Sequence, residues 1–161
     1  MAEILRKTFA RAVKLLAAKP RSIAELRERL LSGRGTNEEV VETVIARLRE
    51  YGYLNDERFA FSYASYKVKQ KPVGRRRLER DLKLKKVESG VANEALEMVF
   101  AETSEEQLID DAIAKRLRIR GKPKDRAEAK SLFDHLLRRG FAFELVSEKV
   151  RALATDYADE D

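Results

Sequence analysis

Lys71-Pro72-Val73-Gly74-Arg75-Arg76-Arg77-Leu78-Glu79-Arg80-Asp81-Leu82 is the stretch on which the fold reading turns. The residue before a proline is biased away from helical backbone, so Lys71-Pro72 marks a helix boundary. Beyond it, Leu78 and Leu82 fall one turn apart on one face while arginines crowd the other faces. The spacing predicts an amphipathic helix from about Gly74 to Lys85. The same phrase recurs on either side. Lys19-Pro20 precedes Leu26 and Leu30, and Lys122-Pro123 precedes Leu132 and Leu136. The three prolines lie 52 and 51 residues apart. Downstream, Val40, Val44 and Leu48 correspond to Ala92, Leu96 and Phe100, and to Val146, Val150 and Ala154, at identical offsets from the first leucine. Self-similarity at a period near 50 residues is the mark of stacked copies of one supersecondary unit.

Each copy reads as three helices. In the first, Phe9, Val13 and Leu16 lie at helical spacing before Pro20, and Ser22-Ile23-Ala24-Glu25 is a capping box opening a second helix that ends at Gly33 and Gly35. Thr36-Asn37-Glu38-Glu39 opens a third, running to about Tyr51 with Gly52 as its stop. In the second copy, Asn55 or Asp56 caps a helix carrying Phe59, Tyr63 and Tyr66, the two tyrosines being read as core. Its second helix is the one quoted above, and its third lies around Val91–Phe100. In the third copy, Thr103-Ser104-Glu105-Glu106 caps a helix through Ile109, Ile113 and Leu117. Helices near 125–139 and 142–154 follow, separated by Gly140. No stretch sustains the period-2 alternation of a strand. The expected fold is all-α, an elongated tandem array of three three-helix repeats at 1–52, 53–103 and 104–155. An acidic tail, 156–161, is expected to fray.

Composition agrees and excludes much else. The chain has 161 residues, of which 39% are charged, against about 25% in an average globular domain. Absence of Cys excludes disulfides, thiolate nucleophiles and Cys-ligated zinc. One His leaves no two-His metal site, so neither metal nor cofactor is expected. Nothing spans a membrane, and the first residues lack a secretory pattern. A cytoplasmic monomer is the expectation.

The net charge of +6 hides a block pattern. Residues 67–86 carry ten basic and two acidic groups, residues 87–114 eight acidic and no basic ones, and residues 115–126 seven basic and one acidic. Basic blocks of this kind attract polyanions even when the whole-molecule charge is modest. The candidate binding residues are Lys67, Lys69, Lys71, Arg75, Arg76, Arg77, Arg80, Lys83, Lys85 and Lys86 in the first block and Arg116, Arg118, Arg120, Lys122 and Lys124 in the second. Arg76, Arg80 and Lys83 form one stripe at spacings of four and three, flanked by Arg75 and Arg77. Phosphate groups or a carboxylate-rich protein surface would meet such a face equally well.

No catalytic constellation emerges. Asp134 and His135 are adjacent on a helix and point in different directions, so His135 reads as a surface or boundary residue. The acids at 105–111 are accounted for by the positive end of their helix, better than by a weak magnesium site. Gly33-Arg34-Gly35 lacks the lysine and preceding strand of a phosphate-binding loop. A free-standing helical nucleic-acid-binding protein without a protein partner is the alternative that the charge pattern leaves open.

Residues 53–96 hold Tyr53-Leu54-Asn55-Asp56-Glu57-Arg58-Phe59-Ala60, then Lys71-Pro72 with Gly74, Arg77-Leu78 and Leu82, then Ala95-Leu96. In these residues the chain resembles the RecX regulatory proteins. Arg138-Arg139-Gly140-Phe141 with Val146 and Val150 is similar to the family's last repeat, and Arg21-Ser22 with Glu25-Leu26 to its first. One departure is Lys86-Val87, where the family more usually has a Lys-Gly turn. The resemblance implies a non-catalytic modulator of the RecA recombinase, acting in DNA repair and the SOS response. It would bind along the groove of the RecA–single-stranded DNA filament and inhibit filament extension, ATP hydrolysis, strand exchange and co-protease function. Its partners would be that filament and, weakly or through RecA, single-stranded DNA.

Overall fold

The computed structural model describes residues 1–158 of the chain, with side chains to Ala154. Among the described residues it is all-α: α1 (Ala2–Ala18), α2 (Ile23–Leu31), α3 (Glu38–Glu50), α4 (Asp56–Gln70), α5 (Arg75–Leu84), α6 (Ser89–Glu102), α7 (Glu105–Arg120), α8 (Arg126–Arg138) and α9 (Phe143–Ala158). They follow one another as three-helix groups, α1–α3, α4–α6 and α7–α9. The tail expected to fray overlaps α9 at residues 156–158, and residues 159–161 lie outside the described residues.

The recurring apolar offsets are core positions. Leu26, Leu30, Val40, Val44 and Leu48 are buried, as are Leu78, Leu82, Ala92 and Leu96, and Leu132, Leu136, Val146 and Val150; Phe100 and Ala154 are half-buried. Full burial of each such leucine or valine is worth roughly 1.5–3 kcal/mol, so the repeated pattern supplies the main driving force.

Tertiary contacts gather these residues into two compact units that divide the middle group. One comprises Met1–Ser62 with Leu82–Ala95. Its core joins Ala12, Leu26, Leu30, Val40, Val41, Val44, Ile45, Leu48 and Leu54, with Leu5, Phe9, Leu15, Leu16 and Ile23 packed against it. Val13, expected on the inner face of α1, is exposed, because the buried stripe passes through Thr8 and Ala12 instead. The other unit comprises Tyr63–Asp81 with the chain from Leu96 onward. Leu108, Ile109, Ala112, Ile113, Leu132, Leu136, Phe141, Val146 and Val150 form its core.

Helix starts follow side-chain capping, with two corrections of one residue. Ser22 and Glu25 form the expected capping box on α2. The cap of α3 is Asn37, whose carboxamide accepts from the Val40 amide at 3.0 Å, and not Thr36. Thr36 is held elsewhere: its hydroxyl accepts a 3.0 Å hydrogen bond from the buried Thr8. The cap of α7 is Ser104, accepting from the Gln107 amide at 3.1 Å, and not Thr103. At α4 the cap is Asn55, while the Asp56 carboxylate accepts from the Ile23 amide at 2.8 Å and ties α4 to the start of α2.

Three helices end in one shared geometry. After α3, the Gly52 amide donates to the Arg49 carbonyl and the Tyr53 amide to the Leu48 carbonyl. Lys86 and Val87 repeat this after α5 with Lys83 and Leu82, and Gly140 and Phe141 after α8 with Leu137 and Leu136. This is a Schellman ending, which needs left-handed backbone at its turning residue. Gly52 and Gly140 adopt it at φ 77° and 92°, and Lys86 does so at φ 59°.

Candidate functional site

The first basic block separates into groups that already have partners and groups that face solvent. On α5, Arg75 pairs with Glu79 at 3.0 Å, and its amide reaches the Glu105 carboxylate at 3.4 Å. Arg77 pairs with Asp81 at 3.5 Å and donates to the Arg138 carbonyl at 3.4 Å. Lys85 lies 3.9 Å from Glu25, and Lys86 holds Glu28 at 2.6 Å. The Lys86 ammonium, through that hydrogen bond and its charge, lowers the pKa of the Glu28 carboxylate. Arg76 and Arg80, one turn apart, are exposed and make no ion pair among the described residues. Lys83 on the same helix, and Lys69 and Lys71 before it, are exposed too. Lys67 is half-buried, its ammonium 5.6 Å from the centre of the Tyr63 ring. Leu78 and Leu82 are fully buried. The expected outward stripe is therefore present, and the flanking Arg75 and Arg77 have carboxylate partners on their own helix.

Tyr63 is half-buried as read, its hydroxyl donating to Asp81 at 3.0 Å, but Tyr66 is 61% exposed and not part of the core. The inner positions of α4 are taken by Ala60 and Ala64. Two positions on from Ala64, Tyr66 lies about 200° around the helix and so points out, its hydroxyl accepting from Gln70 at 3.2 Å.

The second basic block lies at the end of α7 and the turn after it. Arg118, Arg120, Lys122 and Lys124 are exposed, and Arg116 is half-buried. Burial, then repulsion from Arg120 and Arg138, lowers the Arg116 pKa. Gly121 ends the helix at φ 75°. Residues outside the predicted set join this block. Lys115, His135 and Arg139 line one cleft of about 190 Å³ together with Lys71 and Arg116. Arg139 is anchored there by two hydrogen bonds to the Pro72 carbonyl, at 3.1 and 2.7 Å. Burial lowers the His135 pKa, and Arg116, Arg138, Arg139 and Arg120 lower it further. The only sequence signal for this gathering was Arg138-Arg139 standing three and four residues after the single histidine.

Among the described residues no group of three or more His, Asp or Glu side chains stands together as a metal site. Glu106 and Asp110 are both bound to Lys149, at 3.1 and 2.9 Å, which accounts for that part of the acidic segment. No described helix is long and apolar enough to cross a membrane.

Two family models match this chain: "RecX, first three-helix domain" over residues 9–48 and "RecX, second three-helix domain" over residues 55–96. The regulatory protein RecX of Prosthecochloris aestuarii is 30% identical over 151 residues, 94% of this chain and 96% of that one. The chain belongs to the RecX family. The regulatory protein RecX of Bacillus velezensis is 32% identical over 161 residues, covering 98% of this chain. The chain spans 58% of the length of that relative and of its Bacillus licheniformis counterpart. The crystal structure of RecX from Lactobacillus salivarius shares the fold, with a TM-score of 0.82 at 19% identity over 96% of this chain and 99% of that one. These relatives are named regulatory proteins.

Proposed function

We propose that this RecX chain is a cytoplasmic regulator of the RecA recombinase that docks in the groove of the RecA–single-stranded DNA filament. There it suppresses ATP hydrolysis, strand exchange and co-protease function. The observation that carries the reading is the pair Arg76 and Arg80 in a RecX-family chain: two exposed guanidiniums with no ion pair among the described residues, on a helix whose other face is buried. Guanidiniums left without carboxylates are available to the phosphates or acidic side chains of a partner.

The test is RecA ATPase on single-stranded DNA, titrated with the wild-type chain and with Arg76→Glu/Arg80→Glu. Wild type is expected to inhibit. The double reversal is expected to raise the half-inhibitory concentration at least about tenfold, with unchanged thermal unfolding. Undiminished inhibition by the folded variant would remove this face from the interface. Steeply salt-dependent binding of the wild type to bare DNA, with no effect on RecA, would instead support a free-standing nucleic-acid-binding protein.

A further inference from the structure

The cleft beside His135 has a composition unlike the rest of the surface. Lys71 comes from the segment after α4, Lys115 and Arg116 from α7, and His135 and Arg139 from the end of α8. No carboxylate lines it. Some cations elsewhere in this unit have carboxylate partners, Arg75 in Glu79, Arg77 in Asp81 and Lys149 in Glu106 and Asp110, whereas Arg76 and Arg80 on the open face of α5 make no ion pair among the described residues. Placing Arg116, Arg138 and Arg139 around a half-buried imidazole costs electrostatic energy in the free chain. Such a cluster is stabilised only when an anion enters. Part of it is pre-organised, since Arg139 is fixed by its paired hydrogen bonds to Pro72 and has little freedom left to lose on binding.

We propose that this cleft is a phosphate-binding site that takes a backbone phosphate of single-stranded nucleic acid. The cations approach from three separate segments. A tetrahedral phosphate presents oxygens in as many directions, whereas a planar carboxylate presents two in one plane. Ile119, also lining the cleft and 71% exposed, offers apolar surface to a sugar or base, which inorganic phosphate would not use. Lys71 and Arg116, far apart in sequence, thereby become parts of one site, and Lys115, His135 and Arg139 are added to it. The inference rests on the filament reading in that the filament supplies the strand, but its test contains no RecA.

The chain has one histidine, so the imidazole proton resonances in NMR report on this cleft alone. The groups facing His135 are Arg116 and Arg120 on α7, Arg138 on α8, Arg139 directly after it, and the cleft residues Lys71 and Lys115. All are cationic. A bound phosphate reverses the sign of the local field and favours the imidazolium. Titrating the full chain with pH in the presence of oligothymidylate is expected to move the His135 midpoint upward, and the strand is expected to bind more tightly as pH falls. Lys115→Gln/Arg116→Gln is expected to abolish the shift, and the exposed-site variant Lys71→Gln to diminish it, each with a native circular dichroism spectrum.

An unmoved midpoint, or strand binding seen by anisotropy while His135 does not respond, would overturn the proposal. A shift produced by inorganic phosphate but not by the oligonucleotide would overturn the strand assignment. An equal shift from polyglutamate would replace the strand by an acidic protein surface. Failure here leaves the ATPase test of Arg76 and Arg80 standing, and failure of that test leaves the oligonucleotide titration to decide the cleft.

Discussion

The backbones of Gly74 and Gly140 cross in direct contact. The Gly74 amide donates to the Arg139 carbonyl at 2.9 Å, and the Arg76 amide donates to the Gly140 carbonyl at 3.0 Å. Neither position has room for a side chain: a Cβ on Gly74 would overlap the Gly140 carbonyl, and one on Gly140 would overlap the backbone of Arg77. Gly140 also holds φ 92°, a region costly for other residues. Gly74 therefore does more than ease the start of α5. It lets the segment from Lys71 to Arg77 lie against the end of α8, which sets Pro72 beneath Arg139.

Gly74→Ala and Gly140→Ala are each expected to cost about 3 kcal/mol or more, the range of overpacking combined with backbone strain. The control is Gly35→Ala. Gly35 has a positive φ of 77° with open space around it, so only the left-handed penalty of about 1–2 kcal/mol applies. Urea unfolding of the three variants measures the difference. Equal losses at Gly35 and Gly74 would show that the crossing is not tightly packed.

Lys86 occupies, at φ 59°, the position that Gly52 and Gly140 occupy in the matching helix endings. Lysine lacks the conformational freedom of glycine there. Lys86→Gly is expected to raise stability by about 1 kcal/mol, since relief of the left-handed strain outweighs an exposed ion pair with Glu28. Thermal unfolding of Lys86→Gly, compared with Glu28→Gln to isolate the pair, checks the sign. A lower melting temperature for Lys86→Gly than for Glu28→Gln would refute it.

The folded chain lowers the His135 pKa from 6.5, chiefly by burial and then by the surrounding guanidiniums. The unfolded chain thus binds the extra proton more readily. Stability is fully kept above the unfolded value and is lost as pH falls from 6.5 through the folded pKa. His135→Gln is expected to flatten this part of the stability–pH curve while leaving the chain folded at pH 7.5. Denaturant midpoints taken in steps of pH provide the measurement, and an unchanged slope in the variant would contradict it.

Local readings succeeded where the physics is local. Ser22 and Glu25 meet through three residues of one chain, and their capping box was legible as written. Where two neighbouring residues offered the same chemistry, the choice lay in contacts distant in sequence. Thr36 bonds Thr8 across 28 residues, so Asn37 caps α3. Asp56 turns to Ile23 across 33 residues, so Asn55 caps α4. Tyr66 had core spacing, but the neighbouring inner positions hold alanines and the ring points outward.

The same division runs through the candidate site. Arg76, Arg80, Leu78 and Leu82 are separated by helix periodicity, a property of the chain within a few residues, and the outward stripe could be read directly. The ion pairs of Arg75 with Glu79 and of Arg77 with Asp81 are also one turn apart on α5, whereas the contacts of the Arg75 amide with Glu105 and of Arg77 with the Arg138 carbonyl depend on tertiary packing. The cleft depends on this still more. Lys71, Arg116 and His135 have no periodic relation, and only the packing of α7 and α8 with the Gly74–Gly140 crossing brings them to one point. The amino-acid order determined the all-α class, the repeated core positions and the basic blocks, because hydrophobic period and capping act along the chain. Which cations converge, and which meet carboxylates distant in sequence as Lys86 meets Glu28 and Lys149 meets Glu106, was settled by tertiary packing, because such pairing follows distance in space.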